Sequence, residues 1–198
     1  MSFGWNQDDS NILWPIGNAI AEAVNKRMAQ PDKHQAGILF FAAAGNDGLN
    51  SPESFPATHE FVTPIRATDV RGAFNDFNPN SSDKNVFGTL GCSIPAVLTR
   101  NMPSVEKSID GSSLATPIAA GIAADALASA RLRFDPQLSA PEINQLDRLW
   151  RRRGMEQMFF ELSESHGGGR HYLSMKKIVS RGGRLADLNM LINIACNR

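Results

Sequence analysis

Residues 37–48 read G-I-L-F-F-A-A-A-G-N-D-G. Ile38 to Phe41 form an unbroken apolar run, which suits a strand buried on both faces of a parallel sheet. The run passes into small residues and ends in Gly45-Asn46-Asp47-Gly48. That places a loop at the carboxyl end of the strand, where open α/β sheets bind their ligands. Asn46 offers an amide donor there. An asparagine between glycines also serves as a plain turn residue that tolerates left-handed backbone. Upstream, Ile16, Ala19, Ile20, Ala23 and Val24 follow i, i+3, i+4, i+7, i+8 spacing, predicting an amphipathic helix over 15–29. Residues 6–14 read as turn-like and 30–35 as a loop. With a short strand at residues 1–4, the order strand, helix, strand is a βαβ unit and implies an α/β fold with a parallel sheet.

A second segment, Gly111 to Gly121, reads G-S-S-L-A-T-P-I-A-A-G. Ser113 lies in a small-residue turn that runs into an alanine-rich helix over 114–132. Pro117 falls near the helix start, where proline is tolerated. A hydroxyl at a helix N-terminus meets unbonded N–H groups and the positive end of the dipole, which favour developing negative charge. An activated serine nucleophile needs such a place; an N-cap serine before a core helix would look the same. With Gly121 inside it, the helix is expected to approach its neighbours closely and to be nearly fully buried.

Together the two segments resemble the subtilisin-like serine peptidases. That family carries its oxyanion-hole asparagine in an A-A-A-G-N-x-G loop and its nucleophile in a G-[TS]-S-x-A-[ST]-P turn. The matching positions are Asn46 and Ser113, in the family's order and 67 residues apart. Ser2-Phe3-Gly4 is similar to the strand whose backbone pairs with the substrate peptide, and Phe55-Pro56-Ala57 to an aromatic-proline turn with a cis bond. Residues 61–68 resemble the following strand, and 78–95 the loop before the serine. The resemblance covers about residues 1–131. It implies an incomplete subtilisin-like three-layer fold, lacking its N-terminal strands. Residues 1–135 would be the C-terminal portion of a peptidase domain, and 136–198 a helical extension.

The resemblance also implies roles: Ser113 as nucleophile, Asn46 as oxyanion donor, and Ser2, Phe3, Gly4, Ala44, Gly45 and Asp47 as substrate-binding residues. Asp47, on the rim of the main specificity pocket, would favour basic side chains. The family's aspartate and histidine lie upstream of the Ser2 strand. Neither an H-G-T helix start nor a D-[ST]-G turn occurs in this chain, whose histidines are His34, His59, His166 and His171. A serine hydroxyl without an adjacent base is a weak nucleophile. Losing the base costs on the order of 10⁶ in kcat in this family. The chain alone is therefore expected to be nearly inactive, and a complementing segment carrying Asp and His is an expected partner, beside a peptide or protein substrate.

Composition narrows the alternatives. Twenty basic and twenty acidic residues cancel, which gives no electrostatic argument for nucleic acid. No stretch reads as a membrane span, and no leader precedes Ser2; the compartment stays open, with an intracellular one favoured. Cys92 and Cys196 lie far apart and are read as free thiols. No cofactor or metal is implied.

Beyond residue 138, Ser139-Ala140-Pro141-Glu142 reads as a capping box ahead of a helix through Trp150. Arg151-Arg152-Arg153 then closes that helix, complementing its dipole. Residues 155–162 and 185–195 suggest further helices, and Gly167-Gly168-Gly169 a flexible break. Two other functions compete. One is an α/β-hydrolase-like serine esterase, with Ser113 served by Asp135 or Asp147 and then by His166 or His171. The other is a non-catalytic module that binds peptides through the same strand and pocket.

Overall fold

In the computed structural model, residues 1, 4, 10–28, 37–81, 83–96, 107–133 and 147–176 are described. Every residue of strand β2 (Val62–Thr68, V-T-P-I-R-A-T) is buried. Its β-branched side chains suit a strand covered on both faces. β2 lies between β1 (Phe40–Ala43) and β3 (Val86–Leu90), parallel to both. The register pairs Phe40 with Val62 on one side and Ile65 with Phe87 on the other. β1 begins two residues later than the apolar run suggests. On its outer edge Met1 pairs with it, accepting from Ala43 N–H at 3.0 Å.

Helix α1 (Ser10–Met28) packs Ile20 and Ile16 against Ala42, Ala57 and Val62 on one face of the sheet. It starts earlier than the 15–29 expected and runs through Pro15. The proline deprives only the Asn11 carbonyl of its partner, and Asn11 is exposed to solvent. Helix α2 (Ser112–Arg133) covers the other face with Ala115, Ala119, Ile122, Ala123 and Ala126. The three layers and mostly parallel sheet are those of the α/β fold expected. The expectation of near-complete burial for α2 is corrected. Only the face toward the sheet is buried, while Pro117, Ile118, Gly121 and Ala124 are exposed. A helix lying on one sheet buries one stripe; its other side needs a further layer. Over Ser112–Ala130 α2 is also long and apolar enough, with mean hydropathy 1.3, to cross a membrane by length and composition alone. The expectation that no stretch is long enough to span a bilayer is corrected to that extent.

Between β3 and α2, β4 (Ile94–Ala96) and β5 (Lys107–Ile109) form a separate antiparallel ribbon. After a helical turn at 147–149 come α3 (Arg152–Leu162) and a hairpin of β6 (Glu164–Ser165) and β7 (Arg170–Tyr172). β7 joins the main sheet parallel to β3, giving the order β1-β2-β3-β7-β6. The expected helical extension is thus, over 147–176, a helix plus a hairpin built into the main sheet. Met155, Met158, Phe159 and Leu162 share one core with Phe41, Ile65 and Phe87. Gly167–Gly169 is the hairpin turn rather than a break, with φ of 78°, 58° and 75°. The arginine run opens α3 instead of closing the preceding helix. That end repels cations, and Arg152 offsets this by binding Glu156 at 2.6 Å, Asp83 at 3.3 Å and the Glu60 carbonyl at 2.9 Å. The capping box at 139–142 and the helix expected at 185–195 lie outside the described residues.

Candidate active site

The 45–54 loop and the turn into α2 meet above the carboxyl ends of β1 and β3. Gly91 follows β3 and accepts from Gly111 N–H at 2.8 Å. A Cβ on Gly91 would stand 2.8 Å from both the Gly111 carbonyl oxygen and Ala67 Cβ. Only glycine lets the turn approach the sheet so closely. Gly45 is the matching requirement on the other side. Its φ is 125°, and a Cβ there would lie 2.9 Å from Ser54 Oγ. The Phe55–Pro56 bond that follows is cis.

Ser112 joins the two loops. It is fully buried, and its N–H donates to Asn46 Oδ1 at 2.8 Å. Its hydroxyl accepts from Gly45 N–H at 3.3 Å and donates its one proton to Asn46 Oδ1 at 2.9 Å or to the Gly45 carbonyl at 3.1 Å. Asn46 therefore caps α2 from a different loop, satisfying one of the donors that a helix start leaves over. Because a backbone N–H can only donate, the atom facing it must be the amide oxygen. The NH₂ end then faces elsewhere. It lies 3.5 Å from the point where a Gly111 Cβ would stand, and Ser113 N lies 3.8 Å from the same point. Asn46 is exposed and Ser113 half-buried, the first serine of α2 that solvent can reach.

The other sequence candidates divide. Ala44 is fully buried, with its N–H bonded to the Ile65 carbonyl and its carbonyl to Ser54 N–H. Asp47 is exposed, as a rim residue would be. Gly4 passes close to Ser54, a Cβ there falling 2.6 Å from Ser54 Cβ. Ser2, Phe3, His34, Asp135 and Cys196 lie outside the described residues. Ser112 carries the joint, yet its sequence signal is only a second hydroxyl before the candidate nucleophile.

The described histidines sit apart from the turn that carries Ser113. His171 is buried on β7, its Nδ1 3.3 Å from Ser163 Oγ and its ring against Phe87 and Phe160. It pairs in register with Phe87, near the start of β3, whereas the serine turn meets Gly91 beyond the strand's end. His166 is exposed beside Tyr172. His59 Nδ1 accepts from Phe61 N–H at 3.2 Å within its own turn. Asp147 is exposed on the helical turn before α3. The strand before the serine belongs to an antiparallel ribbon, not to the parallel sheet that a nucleophile elbow requires. Cys92 is a free, buried thiol. No three His, Cys, Asp or Glu side chains cluster as metal ligands would among the described residues.

Comparison with known proteins bears on the family and the fold. The sequence profile described as "Subtilase family" matches residues 1–146. A subtilisin-like protease of Coccidioides posadasii (strain C735) is 31% identical over 109 residues, 55% of this chain and 26% of that protein. The minor extracellular protease Epr of Bacillus subtilis (strain 168) is 31% identical over 122 residues, 62% of this chain and 16% of that protein. The aligned region is thus a minor part of these relatives' length. Among solved structures, the patellamide maturation protease PatA superposes with a TM-score of 0.56 at 21% identity, covering 93% of this chain and 62% of that one. The prenylagaramide maturation protease PagA superposes with a TM-score of 0.52 at 17% identity, covering 94% and 71%. Two glycine-hinged loops joined through Ser112, on a sheet of this topology and with this sequence match, place the chain in the subtilase family.

Proposed function

We propose that this chain supplies the nucleophile and oxyanion-binding half of a serine endopeptidase site, with Ser113 as nucleophile and Asn46 as side-chain donor. The observation that carries the reading is the bond from Ser112 N–H to Asn46 Oδ1 at 2.8 Å. It holds the amide with its NH₂ end free to meet an oxyanion beside the turn that bears Ser113. In the reaction, the Ser113 oxygen attacks the peptide carbonyl carbon and loses its proton to a base. The carbonyl oxygen becomes an oxyanion held by Asn46 and the helix start. The C–N bond then breaks as the leaving amine takes that proton from the base, and a water, giving its own proton to the base, releases the acyl group from Ser113. The backbone near Gly4, with Gly45 and Asp47, would line the peptide's path.

The base and its orienting carboxylate come, in this reading, from a segment outside these 198 residues. His59, His166 and His171 are placed elsewhere, and the sequence contains neither motif that carries the family's Asp and His. The chain alone should hydrolyse peptides on the order of 10⁶ more slowly than a complete site. The test mixes the full chain with a segment bearing the missing motifs. A fluorophosphonate should label Ser113 only in the mixture, with Ser113→Ala silent. Full turnover by the chain alone, or labelling that survives Ser113→Ala, would sink the reading. Tight peptide binding with no labelling in the mixture would favour a non-catalytic module instead.

A further inference from the structure

On the sheet face opposite α2, Arg66 projects from the middle of β2 and is 2% exposed. One arm of its guanidinium binds Glu53 Oε1, and Nε lies 3.5 Å from the Pro79 carbonyl. The other arm, Nη1, is buried with no hydrogen-bond partner among the described residues. A buried polar group left unpaired costs about 1–3 kcal/mol, and more when charged. Beside it opens a cavity of ≈ 160 Å³, with Arg66 and Asn78 among its lining and Asp76, Asp83, Gly168 and Arg170 around it. Both N–H groups of Asn78 donate to the Ala67 and Asn75 carbonyls, so it has no donor left for an anion.

We propose that this cavity binds a small monocarboxylate. Arg170 lines it as a second cation and makes no ion pair among the described residues, its guanidinium lying 5.8 Å from the Phe74 ring centroid. Arg66 senses that charge: burial lowers its pKa most, Glu53 and Asp83 oppose this, and Arg170 adds to the lowering. Glu53 is taken by Arg66, and Asp83 is partly spent on Arg152. The unpaired arm of a buried guanidinium and a second guanidinium thus meet at one cavity, whose carboxylates, Asp76 and Asp83, are exposed. The Gly168 N–H, in a left-handed turn, is a further donor without a hydrogen bond among the described residues. Asp76 and Asp83 on the rim disfavour a dianion such as phosphate, leaving a single carboxylate as the fitting charge. The room suffices for several waters or one small organic acid.

The cavity wall is tied to the candidate site. Gly48 N–H donates to the Phe77 carbonyl at 2.8 Å, Asn80 Nδ2 to the Leu49 carbonyl, and Glu53 precedes the Ser54 that holds Ala44. An occupant would therefore brace the loop that carries Asn46, whatever chemistry that loop performs.

The test titrates acetate into the full chain at constant ionic strength against chloride, following the arginine side-chain N–H signals by NMR. A saturable shift at Arg66 and Arg170, with a midpoint of about 1–10 mM, supports the site. Arg170→Gln should raise that midpoint about tenfold. The double variant Arg66→Gln with Glu53→Gln, which leaves no lone buried charge, should abolish the shift. A linear, unsaturating response, meaning that water alone fills the cavity, overturns the proposal. So does a midpoint unchanged in Arg170→Gln, a variant at an exposed position that decides the matter even if the double variant does not fold. Equal or tighter saturation by phosphate would overturn the monocarboxylate assignment.

Discussion

Asn46 serves two masters because a carboxamide has two ends. Its oxygen is held by the start of α2 while its nitrogen faces away from that bond, and Ser112 makes the division possible. Ser112→Ala removes the hydroxyl shared by Asn46 and Gly45 and should cost about 1–2 kcal/mol by urea denaturation. Ser112→Thr, which keeps the oxygen, should recover most of it. In the complemented site, Asn46→Leu should lower kcat by about 10²–10³ while changing KM little, the signature of a donor used in the transition state. An unchanged kcat would remove Asn46 from the oxyanion role. Cys92 bears on alkaline stability. Burial, with a smaller push from Asp110, raises its pKa above the ordinary 9.0. The folded chain thus holds a proton that the unfolded chain gives up sooner. Stability contributed by this thiol is intact below about pH 9 and declines as pH rises through the folded value. Chemical denaturation from pH 7 to 10.5 should show the decline, and Cys92→Ala should flatten it.

At the scale of elements, local residues define the boundaries and packing decides the partners. The glycine triplet shows the difference. Three consecutive glycines are indistinguishable, as sequence, from a linker. In the fold they close a hairpin whose inner strand is held to β3, with the Gly169 carbonyl accepting from Val86 N–H at 2.8 Å. Gly169 has φ of 75°, and a Cβ there would collide with the Lys84 carbonyl oxygen. Gly169→Val should therefore destabilise by more than about 2 kcal/mol. Amide exchange should quicken at Leu173, which donates to the Gly88 carbonyl, before it quickens in β2. Phe159, fully buried between Phe41 and Phe87, ties α3 to the same sheet. Phe159→Ala should cost about 3–5 kcal/mol in the same urea experiment.

For the whole molecule, the distribution of covered surface matters most. One face of α2 packs on the sheet and the other shows Pro117, Ile118, Gly121 and Ala124 to solvent. At the edge of the sheet, β1 has only residue 1 paired along it among the described residues. An apolar helix face beside a lightly covered strand edge favours association between copies. Sedimentation velocity should show the chain self-associating at tens of micromolar, and Ile118→Lys should shift it toward monomer. A monodisperse monomer at that concentration would show that these surfaces are inert.

Much was legible in the residues themselves. The apolar run before Asn46, the small-residue turn around Ser113 and the spacing in α1 encode local geometry through sterics, capping and periodicity, which act over a few neighbours. From them came the parallel sheet, the order of elements and the two candidate site residues. What lay hidden depended on contacts across tens of residues. Ser112 reaches 66 positions back to Asn46, β7 finds β3 from across the chain, and Arg66 is buried mid-sheet beside a cavity. None of these leaves a periodic trace, because each rests on one side chain meeting a distant backbone. Only the packing of whole layers brings such groups together, and only packing decided that α2 would bury one face and leave the other in water.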